Sequence, residues 1–480
     1  MIQVIQLILA LSFLVVIHEF GHFTFARLFH VRVEKFYLFF DYKFSLLRAK
    51  HYDGRWHIRL FAPAAGEEDE WSKHPESTEW GIGWIPFGGY CAISGMVDET
   101  HDASTLSHAA EPWEFRKKNV WQRLLIISGG ILVNFVAALV IFSMLLFHWG
   151  EDSLPLNNID RGLYYSQILL DEGFEQQDKI LTIDGEEPQT LGEVTQRIII
   201  EGKRDVVVLR GEDTVRLEMS QDLGTRYLAL QNEFDRKERD KARMDNSYQK
   251  QRYVLISEFY PFVIDSVCPN TSAYYAGLQA NDSLTAINGV KTPCSVMLTE
   301  ELKKHPMDSI TITYYRGGEE MTTKTFLGDQ CRLGVYSRGP LSYFKLEHRD
   351  YTLLEAIPAG IQYGWNILTM YVKQFRLVFS KEGAQSLGGF GAIGQMFPKM
   401  WDWAVFWNMT AFLSIILAFM NFLPIPGLDG GYILFLLYEI ITGKQPSDKF
   451  LENANKVGWV ILIALLLFAN GNDLVKWLFR

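Results

Sequence analysis

Long apolar segments alternate with polar stretches along the chain. Four of them approach the roughly 20 residues needed to cross a bilayer. They run from Ile2 to Phe25, from Leu124 to Phe147, from Val405 to Phe422 with a continuation from Gly431 to Ile441, and from Val457 to about Leu478. This pattern predicts an α-helical multi-pass membrane protein with about four transmembrane helices.

Basic residues next to the apolar segments predict the orientation of the chain. Arg27, Arg32 and Lys35 follow the first segment, and Lys444 and Lys449 lie between the last two. Since cytoplasmic loops carry an excess of Lys and Arg, we expect these loops on the cytoplasmic side. The long region from about 151 to 401 then lies on the opposite side.

An internal repeat lies within this long region. Gly173, Asp178 and the turn at Asp184-Gly185 recur about 104 residues later as Gly277, Asp282 and Asn288-Gly289. Each copy has a short strand, a turn, a helical stretch and a β-rich run. The stretch Ala276 to Gly289 resembles the PDZ domain family, and the first copy resembles it more loosely. We therefore expect two tandem PDZ-like α+β domains, separated by a charged helical linker.

Composition excludes other classes of protein. The 480 residues are 48% hydrophobic and 21% charged, with a net charge of −10 and no basic stripe with interleaved aromatics, so no nucleic-acid partner is expected. Four cysteines are too few for a disulfide scaffold. Cys268, Cys294 and Cys331 could form at most one pair, or all could be small buried residues.

The first apolar segment contains His18-Glu19-Phe20-Gly21-His22, a His-Glu-x-x-His motif. Helical residues four apart share a face, so both imidazoles can bind one Zn²⁺ while Glu19 serves as general base of a protease. Ionisable residues inside apolar helices are costly and usually functional. The alternative is a polar helix end at the cytoplasmic interface.

A catalytic zinc takes three protein ligands, and the motif supplies two. Asp429 lies between Asn421 and Gly431, where two prolines and three glycines interrupt the third apolar segment. A broken helix at membrane depth is tolerated where it lines a cavity, so Asp429 is a candidate ligand. As an N-cap of the following half-helix it would need no metal.

Together, His-Glu-Phe-Gly-His and Asn421-x-x-Pro-x-Pro-x-Leu-Asp-Gly resemble the site-2 protease family of intramembrane zinc metalloproteases. The order of the parts resembles its bacterial regulator-of-sigma-E branch. The resemblance implies that His18, His22 and Asp429 bind zinc and that Glu19 is the catalytic base. Asn421 is a candidate for holding the substrate backbone or the developing oxyanion.

Two further stretches resemble the family and imply substrate contacts. Pro86 to Tyr90 resembles its Pro-x-Gly-Gly-Tyr segment, part of a β-rich loop that dips into the membrane. Gly88, Gly89 and Tyr90 would then offer a strand edge to an unwound substrate, although Gly-Gly also marks ordinary turns. A stretch in the second helix resembles Gly-Pro-x-x-Asn-Phe and implies a role for Asn134. The segment from Lys50 to Glu79 is an insertion that departs from the family pattern.

The resemblance implies a zinc endopeptidase of the inner (plasma) membrane that cleaves a membrane-spanning substrate already trimmed outside. The implied substrate is an anti-sigma factor or a remnant signal peptide. The PDZ-like domains would screen substrates by size or read their ends. One alternative is a membrane scaffold that binds partners through PDZ-like domains and holds a structural metal. A metal transporter would need further midplane ligands, which the sequence does not offer.

These inferences predict nine segments. They are a first transmembrane helix with the zinc motif (1–27), a cytoplasmic loop with a membrane-dipping β region (28–119), a second transmembrane helix (120–148), a first PDZ-like domain (151–230), a charged linker (231–252), a second PDZ-like domain (253–345), an amphipathic or interfacial segment (346–402), a third, broken transmembrane helix (403–442) and a fourth transmembrane helix (456–480).

Overall fold

A computed structural model of the chain describes residues 2–63, 69–96, 109–244, 253–375 and 388–478. The helices are α1 Ile2–Leu28, α2 Val120–Trp149, α3 Gln167–Leu170, α4 Leu191–Thr195, α5 Leu223–Met244, α6 Ser272–Tyr275, α7 Ser295–Leu302, α8 Leu353–Phe375, α9 Phe390–Met396, α10 Trp403–Phe422, α11 Asp429–Thr442 and α12 Asp448–Leu478. The strands are β1 Val33–Phe40, β2 Phe44–Tyr52, β3 Arg55–Pro63, β4 Glu79–Ile82, β5 Ile85–Ile93, β6 Glu151–Ser153, β7 Leu163–Tyr165, β8 Lys179–Ile183, β9 Asp205–Arg210, β10 Asp213–Glu218, β11 Ile256–Glu258, β12 Phe262–Val267, β13 Ser283–Ile287, β14 Val290–Lys291, β15 Ser309–Arg316, β16 Glu319–Phe326, β17 Val335–Ser337 and β18 Glu347–Arg349.

Four helices are long and apolar enough to cross a membrane, namely α1, α2, α10 and the part of α12 from Lys449 to Gly471. This confirms the four predicted apolar helices. The third predicted segment is broken as expected, because α10 ends at Phe422 and α11 begins at Asp429. The chain forms two compact units, the first from residues 1–150, 350–372 and 387–475 and the second mainly from 151–349.

In the first unit, α2 is the central helix and packs against α1, α10 and α11. Its contact with α1 is close because glycines meet there, and a Cβ on Gly129 would lie 2.7 Å from the carbonyl oxygen of Gly21. The segment predicted as amphipathic or interfacial forms α8 up to Phe375 and packs on α2, where a Cβ on Gly360 would lie 2.5 Å from the Cα of Ser143. Small residues let membrane helices approach in this way.

The region between α1 and α2 is a five-stranded mixed sheet with strand order β3-β2-β4-β1-β5. The sequence predicted a dipping β loop with a long insertion at 50–79. In the structure the insertion contributes a whole outer strand, β3, which pairs with β2 along its length. Gly88 and Gly89 lie within strand β5 and do not form a separate turn.

The second unit contains the predicted repeat. Arg210 forms paired hydrogen bonds with Asp178 at 2.9 and 2.8 Å, and Arg316 forms the same pair with Asp282 at 2.7 and 2.7 Å. Each arginine also donates to the carbonyl of the repeated glycine, Gly173 or Gly277. The glycine and the aspartate that match in sequence therefore each bind an arginine in the same way in both copies.

The predicted boundary between the copies is different in the structure. Strand β11 at residues 256–258 pairs with β7, and Leu255 and Phe344 are buried in the core of the first copy. Both residues had been assigned to the second domain. The predicted charged linker is helical up to Met244, and its residues 245–252 lie outside the described part of the chain. The four cysteines all lie in the described part of the chain, and none of them forms a disulfide.

Candidate metal centre

His18 and His22 lie one turn apart on α1, and their Nε2 atoms are 3.2 Å from each other. The rings sit where α1 crosses the glycines of α2. A Cβ on Gly130 would lie 2.5 Å from Nε2 of His22 and 2.6 Å from Cε1 of His18. Any larger residue at position 130 would therefore displace the imidazoles.

Asp429 brings a carboxylate to both imidazoles from the start of α11. Its Oδ2 lies 3.3 Å from Nε2 of His18 and 3.4 Å from Nε2 of His22. The helix break delivers it here because Gly427, at φ +90°, turns the chain back toward α11. The structure thus brings together three predicted residues from two distant parts of the sequence.

These three atoms suit a zinc ion. In a tetrahedral site with zinc–ligand distances of about 2.0–2.1 Å, neighbouring ligand atoms lie about 3.3 Å apart, and the three distances here are 3.2, 3.3 and 3.4 Å. Oδ2 of Asp429 is buried without a hydrogen-bond donor. Buried polar atoms normally have a partner, and an ion bound between the three side chains would supply one for Oδ2 of Asp429.

The second nitrogen of His22 has a partner that the sequence could not reveal. Its Nδ1 lies 3.0 Å from the backbone carbonyl oxygen of Ile126 in α2. A carbonyl only accepts, so Nδ1 carries the proton and Nε2 keeps its lone pair for a metal. No sequence pattern marks this contact, because every residue has such a carbonyl.

Two asparagines lie beside His18. The side-chain nitrogen of Asn134 is 3.3 Å from Nδ1, and that of Asn421 is 3.5 Å from Nε2. Asn134 is fully buried, and its Oδ1 has no hydrogen-bond partner. It was predicted as a substrate contact, but this burial places it behind the His18 ring. Asn421 remains half-buried beside the candidate ligands.

Glu19 follows His18 on α1, is half-buried, and lies close enough to His22 for an electrostatic interaction. A carboxylate beside two imidazoles and a second carboxylate, that of Asp429, is a common arrangement for general acid–base chemistry. The arrangement could hold a divalent metal and move a proton next to it.

Strand β5 approaches the site from the sheet. A Cβ on Gly89 would lie 2.8 Å from Cγ1 of Val15, one helical turn before Glu19. Gly88 has φ +109°, which favours glycine. In the described part of the chain β5 pairs only with β1, so its outer edge is open.

The side chain of Tyr90 is held within the sheet, whereas the prediction for this residue concerned its backbone at the strand edge. Its hydroxyl donates to Asp41 at 2.9 Å, and its ring stacks on Tyr37 at 5.2 Å. Burial, together with the Asp41 carboxylate, raises the pKa of Tyr90, so the phenol stays protonated as a donor. Only the backbone of Tyr90 remains available at the strand edge.

Comparison with known proteins decides the family. The family model "Peptidase family M50" matches residues 6–66 and 68–465. The chain belongs to peptidase family M50, the site-2 protease family.

Curated relatives of this M50 peptidase agree over nearly its full length. A protein of Haemophilus influenzae named regulator of sigma E protease is 25% identical over 98% of each chain. A protein of Ralstonia nicotianae named as a zinc metalloprotease is 24% identical over 99% of each chain. A protein of Campylobacter jejuni, also named as a zinc metalloprotease, is 31% identical over 44% of this chain and 60% of its own.

The predicted family and enzyme class are therefore confirmed, and the chain is a metalloendopeptidase of the M50 family. The relatives' names support zinc as its metal. The apolar helices agree with a membrane protein of this family.

One contact in this M50 peptidase was missed at the sequence level. Arg123, in the first turn of α2, donates to Glu439 of α11 at 2.5 Å, and the two side chains are only 10 and 14% exposed. Their separation of 316 residues hides the pair from any local pattern. It joins the helix that carries Asp429 to the helix that carries Gly130.

Proposed function

We propose that this protein is an intramembrane zinc endopeptidase that hydrolyses a peptide bond within or near a membrane-spanning helix of its substrate. One observation carries the proposal: three ligand atoms 3.2–3.4 Å apart converge between helices apolar enough to cross a membrane. Such groups are costly at membrane depth, which favours a functional role.

His18, His22 and Asp429 would hold the zinc. When bound, the metal supplies a Lewis acid that polarises the scissile carbonyl and makes water more acidic. Glu19 accepts the proton of the attacking water and then donates it to the leaving amine. The amide of Asn421, 3.5 Å from Nε2 of His18, would donate a hydrogen bond to the developing oxyanion.

Asn134 would orient His18. Rotating its amide by half a turn places Oδ1, which has no partner, against Nδ1 of His18. Oδ1 then accepts the Nδ1 proton, and Nε2 of His18 is left to bind zinc, as Ile126 arranges for His22. Ser414 fixes the same residue by donating to its carbonyl at 2.7 Å.

The substrate would bind as an added strand on the open edge of β5. A transmembrane helix satisfies its own backbone, so it must unwind before water can attack the peptide bond. The edge at Gly88 and Gly89 supplies partners for the freed backbone groups, and its contact with Val15 holds it beside the motif.

The two repeated domains would act as PDZ-like gates. Their shared arginine–aspartate pairs support a common architecture. We propose that they screen substrates by size or read their ends on the periplasmic or extracellular side, while the active site lies near the cytoplasmic face of the inner membrane. The basic residues that flank the apolar helices support this orientation.

The substrate would be a single-pass protein that another protease has already trimmed. The name of the Haemophilus influenzae relative, regulator of sigma E protease, supports an anti-sigma factor. A remnant signal peptide would be an equally suitable substrate, because it is also a short apolar helix with few residues outside the membrane.

Glu19→Gln tests the mechanism in purified protein with a model transmembrane substrate. We expect cleavage to fall by about 10²–10⁴-fold because the base is lost, while the bound zinc stays near one equivalent because the three ligands remain. His18→Ala is the matched comparison, which should lose both zinc and cleavage.

The outcome separates this proposal from a membrane scaffold with a structural metal. Cleavage by Glu19→Gln at the parent's rate would show the protease mechanism to be wrong. Zinc content unchanged by Asp429→Ala would remove the third ligand from the proposal.

A further inference from the structure

A cavity of about 210 Å³ lies on one face of the five-stranded sheet. Its floor includes one cross-strand row, in which Lys35 of β1, Glu79 of β4 and Lys50 of β2 lie side by side. Trp71, from the insertion at 50–79, forms part of its wall. The proposed function uses neither this cavity nor the insertion.

The insertion closes the cavity over Lys50. Trp71 is 1% exposed and Lys50 is 6% exposed, and the ammonium of Lys50 donates to the carbonyl oxygen of Trp71 at 2.8 Å. A lysine ammonium has three hydrogens, so two remain for another acceptor. Burial lowers the pKa of Lys50 because it separates the charged form from water. An anion in the adjoining cavity would favour that charged form.

Two further cations line the cavity, the half-buried Arg32 and Lys35. In the described part of the chain, neither side chain forms an ion pair with a carboxylate. The guanidinium of Arg32 lies over the ring of Trp113, with Cζ 4.7 Å from the ring centre. Stacking occupies the flat face of a guanidinium and leaves the N–H groups at its edge for an acceptor. The ring thus holds Arg32 in place without using its donors.

The two carboxylates that line the cavity bind other groups. Glu79 accepts a hydrogen bond from the hydroxyl of Tyr37, and its Oε1 lies 3.5 Å from Nη1 of Arg48. Glu34 accepts from the hydroxyl of Ser94 at 2.7 Å. Because Arg48 offsets the charge of Glu79, the three cations of the cavity outnumber the remaining carboxylate, that of Glu34.

We propose that this cavity binds a phosphate group, carried by a lipid headgroup or by free phosphate. A tetrahedral phosphate has several acceptor oxygens, so it can bind Arg32, Lys35 and Lys50 at once, and arginine and lysine are the usual partners of phosphate in proteins. One water needs only about 10–15 Å³ of such space, so the cavity has room for a phosphate and its ester substituent.

A membrane lipid is the nearer of the two sources. Arg32 comes shortly after α1, which ends at Leu28. If α1 crosses the membrane, this part of the chain lies at the level of the lipid headgroups, where basic pockets bind their phosphates. Free phosphate has the same acceptor chemistry and would enter from water. The inference needs neither the zinc ion nor the proteolytic chemistry.

Titration calorimetry of the full chain in detergent micelles tests the inference. The two probes are inorganic phosphate and dioctanoyl phosphatidylglycerol, each added alone and then in competition. Dioctanoylglycerol, the same lipid without its phosphate, is the matched ligand control. Lys35→Gln removes one cation of the cavity. Lys43→Gln makes the same change of charge at an exposed position between β1 and β2 and is the matched control variant.

We expect one probe or both to bind saturably to the parent, and dioctanoylglycerol not to bind. Lys35→Gln should weaken the binding by about tenfold or more, because a charged hydrogen bond is lost, whereas Lys43→Gln should leave it unchanged. Phosphate that displaces the lipid would identify free phosphate as the ligand, and lipid that resists phosphate would identify a headgroup.

Three results would overturn the inference. They are the absence of saturable binding of either probe, equal weakening by Lys35→Gln and Lys43→Gln, and binding of dioctanoylglycerol as tight as that of the phospholipid. Thermal unfolding and zinc content check that Lys35→Gln is folded. Arg32→Gln is the second variant, and unchanged binding in it would likewise exclude the proposed site.

Discussion

Asn134 is fully buried beside the His18 ring, with its amide 3.3 Å from Nδ1. Histidine can bind a metal through Nε2 only when Nδ1 carries the proton, and a hydrogen-bond acceptor at Nδ1 fixes that state. Ile126 supplies the acceptor for His22 through its backbone. His18 has no such carbonyl among its described contacts, so a side chain must supply one.

Substitutions at Asn134 should therefore change zinc affinity. We expect Asn134→Leu to weaken zinc binding by about 10–100-fold, as removal of a histidine's outer partner does at other zinc sites. Asn134→Asp keeps an acceptor at the same place and should bind zinc nearly as the parent does. Competition with a chromogenic chelator measures both affinities.

Ser414→Ala is the control, because it removes a hydrogen bond to the backbone of Asn134 and leaves its side chain in place. If the leucine variant binds zinc as tightly as the parent, Asn134 does not orient His18.

Between helices, the Arg123–Glu439 pair fixes the position of α11 on α2. Asp429 begins α11 and Glu439 lies near its end, so the pair holds one end of a helix whose other end carries the third ligand. Both side chains are largely withdrawn from water. Breaking such a pair leaves one charge without its counterion, which costs more than the pair itself contributes.

Glu439→Gln should therefore destabilise the helical unit by about 3–5 kcal/mol and reduce bound zinc. Thermal unfolding in detergent micelles and zinc content measure the two effects. The swapped pair Arg123→Glu with Glu439→Arg should recover part of both, since opposite charges face each other again.

Gln445→Ala provides a matched control on the same contact, because Gln445 is exposed and donates to the same carboxylate at 3.1 Å. Its effect should stay within about 0.5 kcal/mol. Equal effects of Glu439→Gln and Gln445→Ala would rule out a special role for the ion pair.

At the scale of the whole chain, the polypeptide enters the second unit through β6 and leaves it through β18, and these two strands pair with each other. Ser153 at the end of β6 lies opposite Glu347 at the start of β18. Residues 154–346 can therefore be replaced by an Asn-Gly turn that joins the two strands as a hairpin. The helical unit and its candidate metal centre keep their own sequence.

If the repeated domains act as gates, the shortened protein should still cleave a trimmed substrate. It should also cleave an untrimmed substrate with a folded external domain at a comparable rate, which the parent should not. Cleavage is followed by gel mobility, with zinc content as the check on folding. The same deletion with Glu19→Gln is the inactive control.

A shortened protein that binds zinc and cleaves the trimmed substrate but still rejects the untrimmed one would contradict the gating role. Loss of trimmed-substrate cleavage with zinc retained would assign the domains to catalysis or binding instead.

The sequence by itself determined the features that depend on neighbouring residues. Four apolar helices follow from local hydrophobicity, and the helix break before Asp429 follows from prolines that cannot continue a helix. The shared face of His18 and His22 follows from helical periodicity. The repeat was visible because Asp178 and Asp282 each need the same nearby turn and arginine.

Tertiary structure decided what depends on distant contacts. Only folding brings Asp429 to within 3.4 Å of both histidines, places the Ile126 carbonyl on His22, and encloses Asn134. Pairing of β11 with β7 moved a domain boundary that composition could not locate. The cavity beside Lys35 and Lys50 was equally hidden, because alternation along a strand shows that its two faces differ, whereas the packing of the whole sheet decides which face the protein covers.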